Sequence, residues 1–115
     1  MFQKNDFMKL PFSDLQGNNI NNYIGSIVPV ENYLLCLRDP GLGGAYILYL
    51  YDCREKKIVD QTSNTVVLNI IQSNDGKLWA STNKSIRQLD KTELLKGKIV
   101  LQCPRPVCFW YRLDL

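Results

Sequence analysis

From residue 24 onward the chain is written in short apolar bursts separated by polar or glycine-bearing turns: "IGSIVP", "YLLCLR", "YILYLYD", "KIVDQ", then "VVLNIIQ", "KLWAST", "SIRQLD", "KIVLQ". These bursts are rich in β-branched and aromatic residues, and no 3.6-residue apolar stripe runs between them, so each reads as a strand. The pattern predicts strands at about 24–29, 33–38, 46–52 and 57–61, and again at about 66–72, 77–82, 85–90 and 98–102. The Asn-Asp-Gly at 74–76 suits a tight hairpin, because these residue types tolerate positive φ. One stretch competes: "LDKTELLKG" (89–97) can form a single helical turn, and it reads as a connection.

The two sets of strands are copies of one another. At an offset of 44 residues, Ile27 falls on Ile71, Glu31 on Asp75, Leu34 on Leu78, Leu35 on Trp79 and Asp39 on Asn83. The "GLGGAY" at 41–46 then shifts the phase, so that "LYLYD" (48–52) matches "IRQLD" (86–90) and "KIVDQ" (57–61) matches "KIVLQ" (98–102). A four-stranded antiparallel unit recurring every 40 to 45 residues is a propeller blade. The expected fold is therefore all-β: a partial β-propeller of about two four-stranded antiparallel blades, at 22–65 and 66–106, plus flanking strands. Residues 1–21 then close a preceding blade, "FMKL" (7–10) supplying its outer strand, and 107–115 open a following one.

Propellers close with about 4 to 8 blades, and two blades alone leave faces and strand edges uncovered. The expectation is that the remaining blades of a longer chain, or other copies of this one, complete the structure.

Composition narrows the chemistry. Apolar residues make up 45% of 115 positions, enough for one globular domain. The formal charge is +3 and the 14 Lys and Arg are scattered, so no basic stripe points to nucleic acid. No apolar run approaches the roughly 20 residues of a membrane helix, and the start "MFQKNDFMKLPFSD" lacks the basic and apolar regions of a signal peptide. The chain has no histidine, which excludes Ser/His/Asp and Cys/His catalytic sets and His-ligated zinc within it. Cys36, Cys53, Cys103 and Cys108 show no metal-like spacing; Cys36, in "YLLCL", reads as a small buried hydrophobe, while Cys103 and Cys108 bracket a loop that an oxidising compartment could bridge. No cofactor is expected.

The segment "LNIIQSNDGKLWASTNKSIRQLD" (68–90) resembles the two-component regulator propeller repeat. That family's pattern is an apolar strand, Asp-Gly, Leu-Trp, a small residue, Thr, a short turn, an apolar residue and a closing Leu-Asp. Asp75, Gly76, Leu78, Trp79, Thr82, Ile86, Leu89 and Asp90 occupy those places, and the polar "LQGNNINNYIGSI" (15–27) is similar to the linker that leads to the inner strand. The first blade departs more, with Leu35 for Trp, Arg38 for Thr and the "GLGGAY" insertion; in the second, Ala80 and Ser81 replace Ile-Gly and Ser85 replaces the turn glycine. The resemblance implies a non-enzymatic periplasmic sensor region of a hybrid two-component histidine kinase, responding to oligosaccharides. It also implies that Trp79 is a structural residue, expected to pack between blades.

With the four strands of each blade lettered a to d in chain order, propeller ligands sit where the b–c loops and the connections between blades meet near the axis. On that side the chain offers Arg38 and Asp39, Tyr46, Asn64, and Asn83 with Lys84. Arg, Asp and Asn can engage pairs of sugar hydroxyls and Tyr46 can stack on a ring. The "GLGG" lacks the Lys-Ser/Thr and the helix of a phosphate loop and reads as a turn. Against the sensor reading stand a structural or protein-interaction module and, least favoured, a propeller enzyme, for which no acidic pair is evident.

Overall fold

Two antiparallel meanders follow one another along the chain. The computed structural model describes residues 12–20, 23–39, 46–63 and 65–102. The first meander runs through β1 (Ile24–Val30), β2 (Tyr33–Arg38), β3 (Leu48–Asp52) and β4 (Lys57–Gln61). The second runs through β5 (Val67–Gln72), β6 (Leu78–Thr82), β7 (Ile86–Leu89), one helical turn α1 (Lys91–Leu94), and β8 (Leu101–Gln102). Each forms its own sheet in sequential order. The chain is all-β, two four-stranded blades of a partial propeller. The flanking strands expected at 7–10 and 107–115, and the Cys103 to Cys108 loop, lie outside the described residues.

Alternation along the strands assigns the faces. In β2 every residue from Tyr33 to Leu37 is buried, because the first sheet is covered on both sides. Tyr33, Leu35 and Leu37 join Leu48 and Leu50 against the second sheet, where Leu78, Ala80, Leu89 and Leu94 meet them. Leu34 and Cys36 point the other way, with Tyr49, Tyr51 and Ile58, into a cluster closed by Phe12 and Ile20. Phe12 sets its ring edge-on to Tyr51, with centroids 5.0 Å apart. The blades thus stack head to tail.

The first hairpin corrects the repeat alignment. Val30 pairs with Tyr33 across a two-residue turn in which Glu31 takes φ 54°. In the second, the Ser73 N–H bonds the Lys77 carbonyl at 2.9 Å across three residues, with Gly76 at φ 85°. The extra turn residue slides the inner strand by one position. Cys36 pairs with Ile27 and Ala80 with Ile70, so the b strands correspond at 44 residues but the a strands at 43. Ile27 therefore corresponds to Ile70, not to Ile71. Both a strands carry a bulge at the same place, between Ile24 and Ser26 and between Val67 and Asn69, which preserves the repeat at the level of backbone shape.

The outermost strand of the second blade is a further correction. A strand was expected across 98–102, but β8 is only Leu101 and Gln102, opposite Leu89 and Gln88, with one more bond in the same register from the Asp90 N–H to the Val100 carbonyl at 3.0 Å. The physical reason lies upstream. Asp90 caps α1, its carboxylate accepting the Glu93 N–H at 3.1 Å, and the turn drops Leu94 into the core between blades. The chain then leaves along the first blade: the Leu95 carbonyl accepts from the Tyr33 hydroxyl at 3.2 Å, and the Ile99 N–H donates to the Asp60 carboxylate at 2.7 Å. The turn takes the residues that would pair with 98 and 99 out of line with β7, and Asp60 satisfies the Ile99 N–H, which in this register faces away from β7.

Candidate functional site

In each meander the b–c turn, the end of the outer strand and the start of the inner strand fall at the same end. That end carries each candidate among the described residues, and two of them, Arg38 and Asp39, share a hollow.

Arg38 closes β2 opposite Ile24. Its guanidinium lies 4.5 Å from the Tyr23 ring centroid and donates to the Tyr49 hydroxyl at 3.2 Å. Stacking on one tyrosine and bonding a second fixes both the charge and the plane of the fork. The positive charge is also felt at Asp14, whose carboxyl is held below its ordinary range first by the Asn18 backbone N–H and, more weakly, by Arg38. Asp39 follows, its N–H bonded to the Tyr23 carbonyl at 2.8 Å. It lies so close to β1 that a Cβ added at Gly25 would stand 2.5 Å from the Asp39 Cβ.

Arg38 and Asp39 line a groove of about 220 Å³ between the blades, with Gly25, Ser26, Leu68 and Asn69 from the two inner strands. The bulges create it. Each strand is kinked where a small or polar residue interrupts the apolar run, and the two kinks face one another beside the contact of β2 with β5. Its lining offers a guanidinium, a carboxylate, an amide and a hydroxyl, with the buried Leu37 and the exposed Leu68 as apolar residues. That mixture suits neutral polyhydroxylated molecules better than simple ions.

The other candidates stand apart. Tyr46, 39% exposed, lines a separate hollow of about 410 Å³ with Gln61, Thr62, Ser63 and Thr65, where the first blade hands over to the second. Asn64 belongs to that connection but lies outside the described residues. Asn83 and Lys84 form the exposed tip of the β6–β7 turn. Thr82 builds that turn: its hydroxyl oxygen accepts the Ser85 N–H at 2.9 Å and the Lys84 N–H at 3.2 Å. Neither residue lines either of these two hollows.

Gly25, Ser26 and Asn69 were not singled out from sequence, although "IGS" and "LNI" carry the signal: a glycine or a polar side chain inside the inner strand of each blade. A further hollow, of about 340 Å³, lies at the opposite end of the second blade and contains Asp75 and Asp90. Their carboxylates are occupied structurally. Asp75 accepts from the Ser73 hydroxyl and the Lys77 N–H, which holds it below its ordinary range, and Asp90 accepts from Glu93 and Gln102.

Among the described residues no cluster of three His, Cys, Asp or Glu side chains is placed to hold a metal ion, and no helix is long and apolar enough to cross a membrane. Comparison with protein-family models, with curated proteins and with solved structures gives no match.

Proposed function

We propose that this chain is a ligand-sensing pair of propeller blades from a two-component regulator, non-enzymatic and periplasmic, and that it takes oligosaccharides in the groove between its blades. The observation that carries this reading is the groove itself, in which Arg38, Asp39, Ser26 and Asn69 converge from two blades. A ligand there touches both sheets. Its binding energy therefore depends on how the blades sit against one another, which is the differential affinity that any signal requires.

Titration of the chain with a panel of neutral and acidic oligosaccharides, followed by calorimetry, tests the proposal. Binding that falls at least tenfold in Asn69→Ala supports it. Absence of binding across the panel, or binding indifferent to Asn69, counts against it. Asn69 is preferred to Arg38 for this test because Arg38 also holds Tyr23 and Tyr49.

That same engagement favours a second reading, a structural or protein-interaction module in which Arg38 only locks the end of the blade. Arg38→Lys separates the two: it keeps a charge in the groove but loses the planar stack and the fork. Lost stability with sugar binding intact would favour the structural role for this residue.

A further inference from the structure

Residues 12–20 lie across the first blade as a strap. Ser13 pairs with Asn19 in an isolated antiparallel bridge, and the Ile20 N–H bonds the Phe12 carbonyl at 2.9 Å. The Asp14 carboxylate closes the turn between them, accepting the Gln16 and Asn18 N–H groups at 3.0 and 2.8 Å. The strap is thus bonded within itself. It meets the sheet through Phe12 and Ile20, each 2% exposed over Leu34, Cys36, Tyr49 and Tyr51, and through the Leu15 N–H, which donates to the Gln61 side-chain carbonyl at 3.1 Å. Beneath it Tyr51, edge-on to Phe12, carries a buried hydroxyl with no hydrogen-bond partner. Such a group raises the free energy of the closed arrangement and is relieved when water reaches it. A unit bonded internally and docked by a few side chains lifts at lower cost than the strands below it.

Tyr23 joins this strap to the groove. Its N–H bonds the Ile20 carbonyl at 2.9 Å, its own carbonyl accepts the Asp39 N–H at 2.8 Å, and its ring stacks with the Arg38 guanidinium. Arg38 is tied to the strap side a second time through the Tyr49 hydroxyl, since Tyr49 belongs to the cluster that Phe12 and Ile20 cover. Both charged residues of the groove are therefore attached to the backbone that carries the strap. We infer that strap closure and groove geometry form one coupled equilibrium with Tyr23 as the link: Arg38 and Asp39 in place hold the strap down, and a ligand that fixes them closes it further. A ligand that finds Arg38 and Asp39 in position only when the strap is closed favours closure by that difference in affinity, and closure favours the ligand equally. The effect of a ligand rests on the groove being its site; the coupling of Arg38 to the strap does not.

Native-state hydrogen exchange of the full chain tests this, with the Leu15 and Ile20 amides reporting the strap, Asp39 the groove and β6 the second blade. Arg38→Gln, which removes the charge and the fork, raises exchange at Leu15 and Ile20 by at least about tenfold and leaves β6 as in the parent. In the reverse direction Phe12→Ala, which alters no groove residue, raises exchange at Asp39. Arg54→Gln, which removes a charge from the exposed β3–β4 turn of the same blade, changes neither. Strap amides indifferent to Arg38→Gln, or an Asp39 amide indifferent to Phe12→Ala, overturn the inference. So does acceleration that spreads equally to β6, which is global destabilisation. An oligosaccharide that binds the parent slows exchange at Leu15; a bound sugar without that effect overturns the coupling and leaves the groove as a site. Absence of sugar binding overturns the ligand reading instead, and the Arg38→Gln and Phe12→Ala results decide the coupling.

Discussion

Leu35 and Trp79 hold the same place in β2 and β6, and the stacking of the blades gives them different neighbours. Leu35 is 1% exposed against the second blade, whereas Trp79 lies on the face turned away from the first. The residue that marks the repeat is therefore not the one that holds these two blades together. Leu35→Ala should remove about 3 kcal/mol of stability, since it opens a cavity at a closed interface. Trp79→Phe should cost under about 1 kcal/mol in the dilute monomer, because a half-buried site relaxes into solvent. Urea unfolding at low protein concentration measures both, and a larger loss at Trp79 than at Leu35 would reverse the assignment of faces.

Gly25 owes its identity to Asp39. A methyl group there meets the Asp39 Cβ at 2.5 Å, an atom fixed to backbone, so β1 or the end of β2 must move. Gly25→Ala should destabilise by about 1 to 3 kcal/mol through overpacking and should alter any binding in the groove. Gly76→Ala is a useful contrast: nothing lies within 4 Å of a Cβ there, but φ is 85°, so its cost of about 1 kcal/mol comes from the backbone alone and leaves the groove intact. Thermal melts of the two variants, with sugar titration of each, distinguish the mechanisms.

Asp60 ties the outer parts of the blades together. One carboxylate oxygen accepts the Ile99 N–H at 2.7 Å and the other accepts the Gln61 N–H at 2.9 Å. Asp60→Ala should accelerate amide exchange at Ile99 and cost about 1 to 3 kcal/mol, the range for a partly buried donor that loses its acceptor. Asp60→Asn keeps one acceptor oxygen and should fall between the two. If exchange at Ile99 is unchanged in Asp60→Ala, the residues after α1 are held by packing of Leu94 instead.

These relationships show what a sequence of this kind makes legible. Strand period and turn chemistry place β2 at 33–38 and β4 at 57–61 without error; β2, buried on both faces, writes a nearly continuous apolar run, and β4 is marked by its short β-branched core and the repeat of "KIV". The single turn at 91–94 is likewise visible in "LDKTELL". The slip between Ile71 and Ile70 was not, since one residue more in a turn changes pairing register without changing residue types. Nor was the short β8, whose ladder ends where the turn capped by Asp90 takes residues 91–94 out of line with β7. At the candidate site, Arg38 and Asp39 could be read from their place after an apolar strand, but their partners Ser26 and Asn69 could not. What makes those two residues lining rather than edge is the facing of two bulges, a relation between blades.

Cys36 carries a pH dependence that can be isolated. Burial, with a smaller contribution from Cys53, pushes its thiol up from 9.0 to about 12. The unfolded chain loses this proton near pH 9 while the folded chain keeps it, so the unfolded state binds fewer protons in the interval between. Stability is complete below pH 9 and falls as pH rises through the window toward 12, by at most about 1.4 kcal/mol per pH unit from this group. Tyrosines and lysines titrate in the same range, so the informative quantity is a difference: Cys36→Ala should be less stable than the parent at pH 8, and the gap should narrow as pH approaches 11. Native Cys36 should also resist alkylation at pH 8 until the protein unfolds. It should form no disulfide with Cys53, which follows β3 and bonds back to Asn32, four ladder positions or about 13 Å from Cys36 along the sheet. A gap that widens with pH, or rapid native alkylation of Cys36, would show that the face closed by Phe12 and Ile20 opens in solution.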